Sequence, residues 1–284
     1  MVRRISVTML SSYLYCARKL FLERVLGMFE PEKLAMVKGT LRHDTYDGVN
    51  KIEEMIVSSI TKEDTFEDIY GRYARAYSAL LRKSITKNKY RLRNVKLPLI
   101  DAYHEIWPFF KRESEMRALN LWNFIEKHQV YGIELWDKLT PKIESEFRIH
   151  SDELMLNGII DQIEKHETGM VPIELKTGSM PEEGVWPGHR IQVGAYALML
   201  EQKFGQQIKE GVVHYLDQDV RRPVVINPFL KEEVKELKDK VRKLINGFDI
   251  PDKTDNENKC EKCGLKDKCF NEKLIEKLVK AKSS

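Results

Sequence analysis

No stretch of this chain approaches the uninterrupted apolar length of a membrane span, and the opening Met1-Val2-Arg3-Arg4-Ile5 leads into no apolar run of signal-peptide length. The setting expected from this is the cytoplasm, with no membrane partner. Cysteine is scarce, at 4 residues; in a reducing compartment these suit metal or cluster ligation better than disulfides. Internal repeats and low-complexity tracts are absent, which leaves no sign of a repeat architecture or a disordered tract. No G-x-x-x-x-G-K-[ST] phosphate loop is present, so nothing points to a helicase motor. The net charge of +4 is too mild to argue for nucleic acid by itself, and local clustering has to carry that argument. What is plentiful is charge of both signs: charged residues are 32% of the 284 and hydrophobic ones 42%. That composition suits a soluble, heavily charged surface over one large domain, or a domain with a sizeable insertion.

Hydrophobic periodicity divides the chain. Residues 1–49 read as two helices. The first opens at Ser11-Ser12 with a serine cap and carries Leu14, Ala17, Phe21 and Val25; the second begins near Leu34 and carries His43 and Asp47 one turn apart. Residues 50–135 form a helical insertion. Within it Phe66 to Leu81 mark one long helix, started by Thr65 with Asp68 in capping-box position. Pro98 and Pro108 are expected to break the pattern before a last helix through Leu119 and Ile125. Residues 136–250 change period. Ile143, Ser145, Phe147 and Ile149 alternate with Glu144, Glu146 and Arg148, as in a strand. Two apolar strands follow around a polar turn, then a helix over 191–204, strands at 212–216 and 223–226, and a charged helix over 229–248. Residues 251–284 hold a cysteine cluster and a basic tail.

Five constellations carry chemistry. Asp161 ends the apolar run of one strand, and Glu174 and Lys176, two apart, share a face of the next. Carboxylates of this kind bind magnesium or manganese, and a nearby lysine can orient or deprotonate water or stabilise charge on a phosphate. The plain alternative is a surface salt bridge within Glu174-Leu175-Lys176. Gln192 and Tyr196 lie one turn apart, able to reach a phosphate, a base or a metal-bound water, or to be polar tips on a half-buried helix. His43 is either a metal ligand or a structural histidine. Cys260, Cys263 and Cys269 offer three thiolates and leave Cys16 to complete four, for a cluster or for an all-thiolate zinc. Cys16 can equally be a small buried hydrophobe. Last, Arg82, Lys83, Lys87, Lys89, Arg91, Arg93 and Lys96 surround Tyr90 with no acidic residue between them, which suits single-stranded nucleic acid or a solvated helix end.

The order Gly158-x-x-Asp161, Glu174-x-Lys176 and Gln192-x-x-x-Tyr196, with His43 on an early helix, resembles the RecB-like branch of the PD-(D/E)XK nucleases. Ile160 stands where the superfamily name has proline, as is usual in that branch. Early Cys16 and the C-terminal Cys260-x-x-Cys263-x5-Cys269 narrow the resemblance to iron–sulfur members: the Cas-four family of CRISPR-associated exonucleases, and relatives such as the AddB-type and Dna-two nuclease domains. The resemblance implies an α/β restriction-endonuclease-like core, a central mixed sheet flanked by helices, with a helical insertion and a C-terminal iron–sulfur motif. It implies that His43, Asp161, Glu174 and the Leu175 carbonyl ligate manganese or magnesium. Lys176 would be catalytic beside Asp161 and Glu174, Gln192 and Tyr196 would support metal and DNA, and Cys16, Cys260, Cys263 and Cys269 would hold a 4Fe–4S cluster. The activity implied is a metal-dependent deoxyribonuclease: an exonuclease on single-stranded DNA or overhangs, trimming new spacers with the CRISPR integrase proteins. Two rival expectations are a RecB-like nuclease of repair or resection, and a non-catalytic DNA-binding assembly module. The insertion over 50–135 lies outside the resemblance.

Overall fold

The computed structural model describes residues 4–283. In chain order its elements are β1 (Ile5–Ser6), α1 (Val7–Tyr15), α2 (Ala17–Arg24), α3 (Leu34–Ser58), α4 (Phe66–Lys87), α5 (Lys89–Asn94), α6 (Leu99–His128), α7 (Gly132–Lys138), β2 (Lys142–Ser151), β3 (Leu156–His166), β4 (Gly169–Lys176), α8 (Pro187–Phe204), β5 (Glu210–Tyr215), β6 (Val220–Val225), α9 (Pro228–Asn246), α10 (Glu257–Glu261), α11 (Lys266–Phe270) and α12 (Glu272–Ser283). They fall into two compact units: Met1–Pro31 with Phe147–Ile160 and Val171–Ser284, and Glu32–Glu146 with Asp161–Met170.

The first unit is built on a mixed sheet of order β1-β3-β4-β5-β6, with β2 beside β3 off that path. β1 runs parallel to β3 with Ile5 opposite Leu156, β4 runs parallel to β5, and β6 closes the edge antiparallel to β5. Ile173, Leu175, Val213 and Tyr215 are buried, as are Ile191, Val193, Tyr196 and Leu200 of α8. α8 packs on β5, α1 and α9. Because α8 is covered from several sides, its sequence shows apolar residues all round rather than one stripe. Gly158 is needed for this packing: a Cβ there would stand 2.8 Å from the Tyr196 ring and 3.2 Å from Val7. The expected mixed α/β core with flanking helices is what the chain forms. The helix expected to open at Ser11 is instead two helices. The Ser11 and Ser12 hydroxyls donate back to the Thr8 carbonyl inside α1. The chain then breaks at extended Cys16, whose sulfur caps α2 by accepting the Lys19 N–H at 3.4 Å.

The second unit is mainly helical, with α4 packed on both α3 and α6. Thr65 and Asp68 form the expected capping box, and Asp68 is held below the usual carboxylate range by its hydrogen bonds to Thr65. Pro108 does not break the pattern: it lies inside α6, which runs unbroken from Leu99 to His128. A proline removes one helix hydrogen bond and in isolation costs about 3 kcal/mol. Here its neighbours Ile106, Phe109 and Phe110 are buried, with Phe110 stacked on Tyr77 at 5.0 Å and edge-on to Tyr46 at 5.4 Å. That packing offsets the lost bond.

The same core holds a buried ion pair. Arg117 donates to Glu53 at 2.8 Å and to Glu113 at 3.0 Å, and the Tyr73 hydroxyl donates to Glu53 at 3.1 Å. Burial works against the charge on Arg117, but Glu53, Tyr77 and Glu113 keep the guanidinium protonated. Removing one partner strands the other charge in a low-dielectric core, a loss of about 3 kcal/mol or more. Arg117→Met should therefore lower the denaturant midpoint sharply, and Glu53→Met with Arg117→Met should recover much of the loss. A single variant as stable as the parent would show that the pair contributes nothing.

Candidate active site and thiol cavity

Each unit gathers part of the polar set singled out above. In the sheet unit, β4 presents Glu174 and Lys176 on one face, as their spacing requires. Lys176 Nζ lies 2.6 Å from Glu174 Oε1 and donates to Gln192 Oε1 at 2.9 Å; Gln192 Nε2 donates to Glu174 Oε1 at 2.9 Å. The three side chains close a triangle from one strand and one helix. Glu174 is 4% exposed and Gln192 2% exposed, so this is no surface salt bridge. The other carboxylate oxygen, Glu174 Oε2, is buried and has no hydrogen-bond partner among the described residues. A buried carboxylate oxygen left this way is costly unless a cation or donor meets it. A divalent cation, which takes oxygen ligands, fits that atom. Gln192 and Tyr196 are buried rather than half-buried, and Tyr196 lies against Gly158.

In the helical unit, His43 of α3 approaches Asp161 of β3 and Glu146 of β2. Its Nδ1 stands 3.5 Å from Asp161 Oδ1 and 3.6 Å from Glu146 Oε1. Ligand atoms of these three residues all lie within 4.8 Å of one another, and no other group of three His, Cys, Asp or Glu residues does so among the described residues. One imidazole and two carboxylates form a donor set that suits manganese or magnesium. Glu146 was visible in sequence only as one of several polar positions on an alternating strand. A further mark is structural: its φ of 50° lies in the left-handed region, an uncommon and strained choice for a non-glycine residue that clusters at functional positions.

The basic run occupies the end of α4 and all of α5. Two of its members are engaged inside the unit: Lys87 with Asp44 at 3.2 Å, and Arg91 with Glu32 and Thr40. Arg82, Lys83, Lys89 and Arg93 are exposed, and Tyr90 is 68% exposed with the Lys89 ammonium 5.1 Å from its ring centre.

All four thiols line one cavity of the sheet unit, with Cys16 from the α1–α2 break and Cys260, Cys263 and Cys269 from the C-terminal segment. Their sulfurs are not drawn to the close spacing of a single-ion site. The lining also carries Arg18, Lys19, Lys253, Lys259 and Lys266, and no carboxylate. A cavity walled by thiols and cations suits an anionic occupant. Burial raises the Cys269 thiol pKa, against the pull of Arg18. The apolar residues beside it form a small core of Phe21, Leu22, Leu265 and Ile275.

A family model described as the PD-(D/E)XK nuclease superfamily matches residues 4–270. Over 152 residues the chain is 30% identical to a CRISPR-associated exonuclease Cas4/endonuclease Cas1 fusion of Leptospira interrogans, covering 50% of this chain and 28% of that protein. It is 26% identical over 128 residues to a CRISPR-associated exonuclease Cas4 of Rhodospirillum rubrum, covering 44% of this chain and 38% of the relative. A third similarity, at 21% identity over 283 residues, is to the DNA replication ATP-dependent helicase/nuclease dna2 of Schizosaccharomyces pombe, covering 96% of this chain and 19% of that protein. The chain thus spans well under half the length of each of these relatives.

One pair beside the triangle escaped the sequence reading. Tyr215 stands opposite Lys176 in the β4–β5 register, and its hydroxyl accepts the Trp186 N–H at 3.2 Å and meets His189 Nδ1 at 3.2 Å. Burial, and then the charge of Lys176, hold His189 down to about 3. The unfolded chain takes up this proton near the ordinary histidine value of 6.5, while folded His189 does not until about 3, so the unfolded state binds more protons between those values. Stability therefore falls as the pH drops through that window. His189→Gln should flatten the slope in denaturant melts, and imidazole NMR of the parent should show a neutral ring at about pH 5. A ring titrating near its ordinary value would refute this.

Proposed function

Because the chain belongs to the PD-(D/E)XK nuclease superfamily, we propose that it is a metal-dependent DNA exonuclease, acting on single strands or overhangs during CRISPR adaptation. The observation that carries this reading is Glu174: one oxygen is fixed by Lys176 and Gln192, and the other is buried with no partner among the described residues. His43, Asp161 and Glu174, with the Leu175 carbonyl, are the proposed ligands, and Glu146 joins them as a further candidate. A bound manganese or magnesium would neutralise phosphate charge and supply Lewis acidity at the scissile bond.

The chain's own residues have distinct tasks. Gln192 spans Glu174 and Lys176 and holds both in register. Lys176 is 22% exposed along its side chain, so its ammonium can reach solvent while anchored. As an ammonium it is placed to orient the attacking water, or to stabilise charge on a phosphate oxygen as the phosphodiester bond breaks. Tyr196 supports α8 from within the core. Arg82, Lys83, Lys89, Tyr90 and Arg93, with Lys87 and Arg91 where their carboxylate partners release them, form the proposed track for single-stranded DNA. Cys16, Cys260, Cys263 and Cys269 are the proposed ligands of a 4Fe–4S cluster; the cationic lining without carboxylates supports an anionic group there. Partnership with an integrase-type protein rests on the Leptospira relative, whose name records a fusion with an endonuclease Cas1.

A second reading has its own support, since similarity to the fission-yeast helicase/nuclease extends over 96% of this chain. That relative's name records DNA replication, which supports a nuclease outside CRISPR; our alternative places the same chemistry in repair or resection, and a CRISPR locus beside the gene would decide against it.

Lys176→Ala or Glu174→Ala should reduce cleavage of end-labelled single-stranded DNA in manganese by about a hundredfold or more while DNA binding is largely kept. EDTA should abolish wild-type cleavage. Wild-type rates in Lys176→Ala would end the proposed mechanism, and an inert wild type would leave only a DNA-binding assembly module. Anaerobically purified protein should be brown with broad absorbance in the blue; colourless protein with stoichiometric zinc would replace the cluster by a structural metal.

A further inference from the structure

Among the described residues that line the thiol cavity, Arg18 has a buried side-chain nitrogen with no hydrogen-bond partner. Arg18, on the first turn of α2, is 5% exposed. Its Nη1 donates to the Pro251 carbonyl at 2.8 Å, and its Nη2 donates to the Cys269 carbonyl at 3.3 Å and to Glu272 at 2.8 Å. Its Nε–H is buried and meets no acceptor among the described residues. A guanidinium that places its two terminal nitrogens on protein acceptors yet buries its third donor unsatisfied carries a desolvation penalty, larger than that of a neutral donor. Native proteins rarely leave such a donor without a function or an unseen partner. Arg18 lines the cavity that all four thiols line, and it sits two residues from Cys16 while bonding the backbone of Cys269.

We propose that the buried Nε–H of Arg18 is a hydrogen-bond donor to a sulfur of the cluster held in this cavity, and that this bond helps set the cluster's reduction potential. The inference rests on the cluster reading above. Hydrogen bonds to cluster or thiolate sulfurs, and local positive charge, favour the more negative reduced state and so raise the potential. Arg18 supplies both. Of the other lining cations, Lys19 is paired with Glu30 and Glu23, Lys253 with Glu272, and Lys259 donates to the Tyr15 carbonyl. A role as a structural strut explains the contacts of Nη1 and Nη2 but leaves Nε–H without one.

Arg18→Lys keeps a positive charge able to serve Glu272 and a carbonyl, but has no third donor in the fork. The full-length variant, reconstituted anaerobically and matched to wild type in iron and sulfide content and in far-ultraviolet circular dichroism, should have a lower midpoint potential in a dye-mediated redox titration. An unchanged potential would overturn the proposal. A second measurement needs no variant. Arg18 is the one arginine among the residues lining the cavity, so wild-type protein isotopically labelled at its arginine guanidine nitrogens should show a nitrogen coupling to the reduced cluster in pulsed electron paramagnetic resonance. Should the lysine variant fail to load or fold, this spectrum decides alone, and absence of the coupling overturns the proposal. Folded wild type that binds zinc and no iron would instead overturn the cluster reading, and the role of Arg18 with it.

Discussion

A carboxylate almost sealed from water constrains everything around it. Glu174 sits on β4 beneath α8, where an ionised group with no partners would be several kcal/mol out of place. Lys176 and Gln192 meet one of its oxygens, and that requirement fixes much of the sheet unit. α8 must bring Gln192 down onto the strand face. Tyr196, one turn later, must then enter the core, and β3 must carry a residue without a side chain where the tyrosine ring lands. The motif residues Gly158, Glu174, Lys176, Gln192 and Tyr196 are thus one packing solution and not five independent functional tokens. The uncompensated Glu174 Oε2 is the one place where that solution stops short of satisfying itself, which is why it reads as a binding atom.

The helical unit solves a comparable problem in the opposite way. Arg117, Glu53, Glu113 and Tyr73 satisfy one another in its core, and Tyr77 and Phe110 stack alongside. The charges of that network are paired with one another, which marks it as architectural. The contrast with the His43, Glu146 and Asp161 trio is instructive. There the His43–carboxylate separations of 3.5 and 3.6 Å are longer than hydrogen bonds, and Glu146 adopts a backbone conformation that other residues of β2 avoid. One imidazole and two carboxylates gathered this closely are the donor set proposed to hold a cation.

Local patterns could be read before the fold was known, and the exceptions have physical causes. Thr65 and Asp68 signal a helix start because a capping box is a contact between residues three apart. The alternation from Ile143 to Ile149 signals β2 for the same reason of locality. Pro108 misled because proline's cost is local whereas the packing of Ile106, Phe109 and Phe110 that offsets it is tertiary. Cys16 was singled out as a thiol, yet its backbone also ends α1 and its sulfur starts α2, a double use that composition does not reveal. At the site, the strand-period rule placed Glu174 with Lys176, and the helix-period rule placed Gln192 with Tyr196. The bonds joining the two pairs, the Tyr215–His189 contact and the approach of Glu146 to His43 join residues far apart in sequence, so no spacing rule could announce them.

The thiol cavity bears on how a cluster would couple to folding. A clip joining Cys16 to the C-terminal cysteines closes a very long loop, and loop-closure entropy grows only slowly with length, by about 0.6 kcal/mol per doubling. Most of that closure is already secured by ordinary contacts: Arg18 with Pro251 and Glu272, Glu30 with Gly264, Lys259 with Tyr15, and the Phe21, Leu22, Leu265 and Ile275 core. The chain ends are therefore held together by groups that need no cofactor. In small zinc modules the metal supplies the folding energy outright, because no core exists without it. Here an apolar core lies beside the thiols, so the proposed cluster would have less folding work to do. The physical consequence is a division of labour: apolar packing and polar contacts hold the two segments, which leaves the four thiols and the Arg18 guanidinium for the proposed cluster.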